Sequence, residues 1–532
     1  MPENFTRLLT QDFSDLDAAV SSWKKLAETL GRTRTESDTR VTGPLRKAGW
    51  SGISADYGFE AMEATSIKLG TGRLDTQLIS STLDTLQTRM RSAQRELRDA
   101  VADAEEAGHR VRDDGWVEHR QVVDPEHHND PEYETLQQRA NAGLDGFRSR
   151  IESALHNAST ASYRAGELLH QIDPFDLDKR YGEANARKDA ALVADFAGIT
   201  ENDIPANGNP EHTAEWWAAL APDTQRVYLT AFPEQIGAAD GLPTTVRDQA
   251  NRSVLDMRLN DYALRENSLG HQERTHFRSL THLKARLDRS ALGPEQKRMY
   301  LLGLSTRGDG RAIVALGNPD TAKHTAVQVP GTDNELENYG GQIDRANKLQ
   351  NAASGWNGAK GAKDISVIAW LGYDAPEINF SVTGTERAMD GAEDLRNFTH
   401  GLRAAHEGER GHLTVVAHSY GSTVTGAADA GGNGLGADDM VVLGSPGLTV
   451  DHASQLHSDA RHLWVGAATD DPISNFTSGL TLGSDPKDSE FGAQRMYVDT
   501  SGHSGYWDDG SLSLENMGAV IAGQQPGTGA TP

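Results

Sequence analysis

The chain contains no cysteine among its 532 residues. That excludes a disulfide framework, a thiolate metal site and a cysteine nucleophile. It leaves the redox compartment open, because a chain without thiols tolerates either side of a membrane. Basic residues are scarce: 51 Lys and Arg stand against 77 Asp and Glu, a formal charge of −26. Nucleic acid is therefore not an expected partner, since phosphate binding needs a basic face. An anionic membrane surface would also repel the chain. No run of about 18 apolar residues occurs, so no membrane-spanning helix is expected. The opening residues, Met-Pro-Glu-Asn-Phe-Thr-Arg-Leu-Leu-Thr, lack the apolar stretch of a cleavable signal. A cytoplasmic location is expected, with signal-less export as the alternative. The Gly-X4-Gly-Lys-Ser/Thr phosphate loop is absent. His127-His128, beside Asp124, Glu126 and Asp130, reads as a solvated acidic loop, because adjacent histidines point apart in extended chain. No metal and no cofactor is expected.

What is present divides into regions. The length suggests two or three domains at roughly 100–200 residues each. Residues 1–172 carry helical apolar stripes. Leu16, Val20, Trp23, Ala27 and Leu30 form the first, ended by Gly43-Pro44. Leu83, Leu86, Met90, Ala93, Leu97 and Ala104 form the second. Leu136, Ala140, Leu144, Phe147, Ile151 and Leu155 form the third, after a loop over 108–131. Such stripes bury against one another, which predicts a helical bundle or hairpin. Residues 173–300 are punctuated by Pro174, Pro205, Pro210, Pro222, Pro233 and Pro243 and read as a helical connector or cap. Residues 523–532 read as a disordered tail.

From 301 to 522 the pattern changes to short apolar runs separated by glycine turns and helices. The runs are 312–316, 326–329, 365–371, 413–417, 440–443, 463–465 and 496–498. Runs of this length typify buried parallel strands. Their alternation with helices predicts a doubly wound, mostly parallel sheet.

One run feeds directly into Ala417-His418-Ser419-Tyr420-Gly421. A serine on a strained strand-to-helix turn needs small residues two before and two after it, which Ala417 and Gly421 supply. Ser419 is therefore the candidate nucleophile. A serine hydroxyl needs a base and a carboxylate to orient that base. In the α/β-hydrolase fold they follow in the order acid, then histidine. The strand at 463–465 leads to Asp470-Asp471-Pro472, where Asp471 is preferred as the acid and Asp470 is the rival. The last strand leads to His503, the candidate general base. The oxyanion hole is assigned to the backbone N–H groups of Tyr420 and Thr332, the latter after the strand end Val329-Pro330-Gly331. Gly444-Ser445-Pro446-Gly447 is no second elbow, because proline follows the serine, and reads as a wall of the site.

With these residues assembled, the stretch 210–515 resembles the actinobacterial α/β-hydrolases called the DUF1023 family. The resemblance lies in the Pro-Gly-Thr and Gly-Ser-Pro-Gly strand ends, the His-Ser-Tyr-Gly elbow, the Asp-Pro loop and Gly-His-Ser-Gly-Tyr. It implies a Ser-Asp-His hydrolase without a metal and names no substrate. Separately, Trp50-Ser51-Gly52 between the first two helices resembles the turn of WXG100 (ESX-type) helical hairpins, although this second helix is longer. Two functions follow as expectations. One is hydrolysis of carboxylic esters, lipid or small-acyl. The other is an interaction or secreted effector protein, addressed to a type VII-like partner through its N-terminal helices. A third reading makes those helices a lid over the site.

Overall fold

The computed structural model describes residues 2–119, 131–172, 183–205, 208–356, 361–377, 384–475 and 482–528. The His127-His128 segment lies outside them. The chain opens with α1 (Pro2–Thr10) and α2 (Ser14–Ser37). Helix does not stop at Gly43-Pro44, as the proline had suggested. A π turn over Asp38–Thr42 leads into α3 (Gly43–Lys47). There the Gly43 N–H reaches back five residues to the Asp38 carbonyl, which widens the helix just before a residue with no N–H to donate. Trp50-Ser51-Gly52 then makes the hairpin turn, with Gly52 at φ 98°. The next helix, α4 (Ile53–Glu106), has 54 residues and is about 80 Å long.

The expected loop after it contains a two-stranded antiparallel ribbon, Arg110–Val111 with Val117–Glu118. The third apolar stripe is split into α5 (Tyr133–Ala140) and α6 (Leu144–Gln171). Gly143, at φ 94°, makes the break. Helices α2 and α6 both pack on α4. Ala93, Leu97, Ala100 and Ala104 meet Ile151, Ala154 and Ala158 in one buried cluster.

The 173–300 stretch does not behave as one connector. Helix α7 (Glu183–Ala197) completes the N-terminal bundle: Val193 joins Leu78 and Leu83, and Phe196 joins Ala165 and Leu168. Helices α8 (Pro210–Ala219), α9 (Pro222–Ala231) and α10 (Pro233–Ala238) each begin on a proline, whose missing N–H costs nothing there. They share a small core of Trp217, Tyr228 and Ile236. Helices α11 (Thr244–Leu264) and α12 (His271–Ala291) bury Leu255, Leu280, Leu283 and Leu287 in the core of the sheet domain.

That domain has an eight-stranded sheet. Its strands are β1 (Met299–Ser305), β2 (Arg311–Leu316), β3 (His324–Val329), β4 (Ile365–Trp370), β5 (His412–His418), β6 (Asp439–Leu443), β7 (Leu463–Gly466) and β8 (Gln494–Arg495). The order is β8-β7-β6-β5-β3-β4-β2-β1. All pairs are parallel except those made by β2, which runs against β1 and β4. Strand β1 was missed in the sequence. Its register slips between Leu301 and Gly303, so its apolar run is broken by a bulge glycine.

Strands β4, β6 and β7 are buried at every position, as a covered parallel sheet requires. Helices α13 (Gly340–Ser354), α14 (Glu386–Ala405), α15 (Tyr420–Ala430) and α17 (Leu512–Ile521) supply the covering layers, α13 packing with α17 and α14 with α15. Between β7 and β8 lies the one-turn α16 (Pro472–Asn475). The expected tail is ordered through Thr528. Asn516 donates to the Tyr497 carbonyl and accepts from the Gly527 N–H, and Met496 bridges Thr528.

Candidate active site

The site is built at the carboxyl ends of β3, β5, β6 and β7, where an open α/β sheet places its ligands. At the end of β5 the chain turns sharply into α15. Ser419 sits on that turn at φ 55° and ψ −134°, a strained conformation for any residue with a side chain. Its neighbours show why the turn must be small. A Cβ on Gly421 would lie 2.5 Å from the Val329 and Pro330 carbonyl oxygens. A Cβ on Gly331 would lie 2.6 Å from Ser419 Cβ and 3.0 Å from its Oγ. Register explains the proximity: β5 pairs with β3 through Ala417 and Val329, and with β6 through His418 and Leu443. The turn is held by the Ser419 N–H on the Leu443 carbonyl at 3.0 Å. It is held again by Ser422 Oγ, 2.6 Å from the Ser419 carbonyl and 2.6 Å from Ser445 Oγ.

Of the two aspartates after β7, Asp471 meets the histidine. His503 Nδ1 donates to it, 2.9 and 3.0 Å from its two oxygens. Tyr506 adds its hydroxyl at 2.5 Å, and the Ile473 N–H donates at 2.8 Å. Pro472 starts α16, so the Asp471 carboxylate also caps that short helix. The side chain is fully buried. Burial pushes its carboxyl up, but the bonds from His503 and Tyr506 and the charge of His503 outweigh it and hold it at about 2. Asp470 faces solvent and accepts from Ser501 Oγ at 2.6 Å and the Gly502 N–H at 2.7 Å. It anchors the histidine loop and does not touch the histidine.

Gly444 packs against the Asp471–His503 pair. At φ 52°, a Cβ there would sit 2.6 Å from Asp471 Oδ2 and 3.1 Å from His503 Nδ1. Ser419 is 5% exposed. No hydrogen bond joins Ser419 Oγ to His503 in this structure.

Tyr420 opens α15, so its N–H belongs to the first turn, which has no helical acceptor. Thr332 follows Gly331 beside the serine. The Gly331 carbonyl is held by Asn334 at 3.0 Å and the Tyr373 hydroxyl at 3.3 Å. In a trans peptide the next N–H points the opposite way, so that of Thr332 faces away from both.

Residues 305–481 match the family described as an alpha/beta hydrolase. An uncharacterized protein of Mycobacterium tuberculosis, MT2140, is 28% identical over 577 aligned positions, covering 95% of this chain and 86% of its own. Another from that species, Rv2079, is 33% identical over 60% of this chain and 56% of its own. The uncharacterized Mycobacterium bovis protein Mb0988c is 32% identical over 35% of this chain and 73% of its own. The chain belongs to an actinobacterial α/β-hydrolase family. No solved structure matches it.

In this α/β-hydrolase the matched segment carries Ser419 and Asp471, and His503 lies beyond it. Among the described residues no cluster of three or more His, Asp or Glu could hold a metal. No helix among them is long and apolar enough to cross a membrane. Tyr506 and His418 are site residues to which the sequence reading gave no role, though both stand inside the motifs it quoted.

Proposed function

We propose that the protein is a serine hydrolase of carboxylic esters, lipid or small-acyl, acting through Ser419, His503 and Asp471. The observation that carries this reading is the Asp471–His503 pair beside a serine in the elbow conformation. With Nδ1 committed to Asp471, His503 has Nε2 left to serve Ser419. Ser419 Oγ attacks the ester carbonyl as His503 takes its proton. The oxyanion is met by the N–H groups of Tyr420 and Thr332, each worth roughly 2.7–4 kcal/mol in such sites. Collapse expels the alcohol, which receives the proton from His503, and leaves an acyl group on Ser419. Water then attacks, again losing a proton to His503, and the acid departs as Ser419 recovers its hydrogen. The expected result is turnover of p-nitrophenyl acetate with a burst of nitrophenol, lost in Ser419→Ala. Folded wild-type protein that turns over no p-nitrophenyl ester of any chain length would contradict this reading.

A second reading concerns the N-terminal hairpin, expected to dock a protein partner and address the hydrolase, in the manner of a WXG100 hairpin. What favours it is the turn itself, where Trp50 remains 39% exposed and Tyr57 70% exposed. Trp50→Ala with Tyr57→Ala should change partner capture or localisation and leave ester turnover intact. Unchanged partners and localisation would count against it.

A further inference from the structure

The mechanism above leaves His418 unused, although it is buried at the end of β5 beside the nucleophile. Its Nε2 lies 2.7 Å from the backbone carbonyl oxygen of His503. A carbonyl only accepts, so Nε2 carries the proton and donates. The two imidazole rings are 4.6 Å apart and inclined by 34°. Trp507 stands perpendicular to His418 at 5.1 Å, and Tyr506 meets it edge-on at 5.7 Å. The Arg345 guanidinium lies 4.4 Å above the Trp507 ring. One imidazole thus touches three residues of the segment 503–507, and one of them, Tyr506, also bonds Asp471.

We propose that His418 is a positioning residue for the general base: its N–H pins the His503 backbone while its ring walls the His503 imidazole, holding that imidazole in register with Ser419. The proposal rests on the Ser419–His503–Asp471 reading. The role needs a neutral imidazole with one fixed tautomer. Burial and the charges of His503 and Arg345 drive its protonation down to about 3, against the bond to His503 and the charge of Asp471. His418 therefore keeps its tautomer while its neighbour takes and returns a proton. Two touching imidazoles are separated in function by their surroundings.

The test uses full-length protein and p-nitrophenyl acetate. His418→Leu fills the space but leaves the His503 carbonyl unpaired. His418→Gln places an amide nitrogen near the position of Nε2. The leucine variant should lose about 10–100-fold in kcat, as small misplacements of a catalytic group do, with KM within about twofold. The glutamine variant should recover most of that loss and restore the wild-type shape of the kcat–pH profile. Should the leucine variant not fold, His418→Asn, whose amide falls short of the carbonyl, takes its place. Wild-type kcat in the donor-deficient variant would overturn the proposal. So would a glutamine variant equally slow while melting like wild type. His503→Ala separates the two readings. Its loss of turnover upholds the triad, and undiminished turnover removes the triad and the positioning role together.

Discussion

At Gly444 the backbone turns to φ 52°, and the Asp471–His503 pair lies where a side chain would otherwise be. Gly444→Ala should therefore cost about 1–3 kcal/mol of stability. It should also lower ester turnover more than it changes KM, because the atoms displaced are those of the proposed acid and base. Chemical melts and steady-state kinetics on the same preparation would check this. Asp471 makes a prediction with a sign. Its carboxyl is held at about 2, below the ordinary 3.8. The stabilisation it brings is then full above about pH 4 and is lost as the pH falls through about 2. The stability gap between wild type and Asp471→Asn should shrink as the pH falls from about 4 through about 2. A gap that widens over that window would contradict the assignment.

The placement of Ser419, Asp471 and His503 at one end of the sheet was legible in the sequence because each residue follows a strand in the order the fold imposes. The choice between Asp470 and Asp471 was less so. Adjacent side chains diverge, and which one turns inward depends on how Pro472 starts its helix. His418 and Tyr506 were not legible as supports, because their contacts span 85 and 35 residues of chain.

At the scale of elements, apolar periodicity located six strands and the long helices, while the seventh run, 496–498, follows β8 and keeps only an isolated bridge at Met496. It failed where one residue changes the backbone. Gly303 hid β1 by shifting its register. Gly143 split a stripe that reads as continuous. Pro44 suggested an end, where a π turn lets the helix pass. The tail looked featureless because what orders it is the Asn516 side chain, an interaction without periodicity.

The joint between hairpin and hydrolase was equally invisible. Arg34 on α2 meets Asp256 on α11 at 3.0 Å, Arg73 on α4 reaches the same carboxylate at 3.4 Å, and Arg226 on α9 bonds Asp84 on α4 at 2.6 Å. Burial raises the Asp256 carboxyl, and Arg34, Lys284 and Arg73 together bring it below its ordinary value. Removing one partner of such a buried group leaves the others unpaired, so Asp256→Ala should cost about 3–5 kcal/mol. Arg34→Met should cost less when added to Asp256→Ala than alone, a coupling that a double-mutant cycle would read. Additive losses would mean the two regions are not joined through these charges.

At the scale of the whole molecule, the hairpin packs on α9, α11 and the π turn's neighbour α12. Of these, α11 and α12 also pack on the edge strand β1. The natural boundary of the N-terminal unit also lies later than residue 172, because α7 buries Val193 and Phe196 against α4 and α6. Deleting residues 1–172 should strand those side chains and lower both melting temperature and solubility relative to deleting 1–199. Equal melting of the two truncations would show that α7 does not belong to the bundle.

The central claim is that Ser419 is an activated nucleophile, served by His503 on Asp471. Labelling by a fluorophosphonate probe, followed by peptide mapping of the adduct, tests it without knowledge of the substrate. The account predicts one phosphonylated site, Ser419, with labelling absent in Ser419→Ala and slowed by at least about 10³-fold in His503→Ala. An adduct on another serine, or equal labelling rates in wild type and His503→Ala, would contradict it.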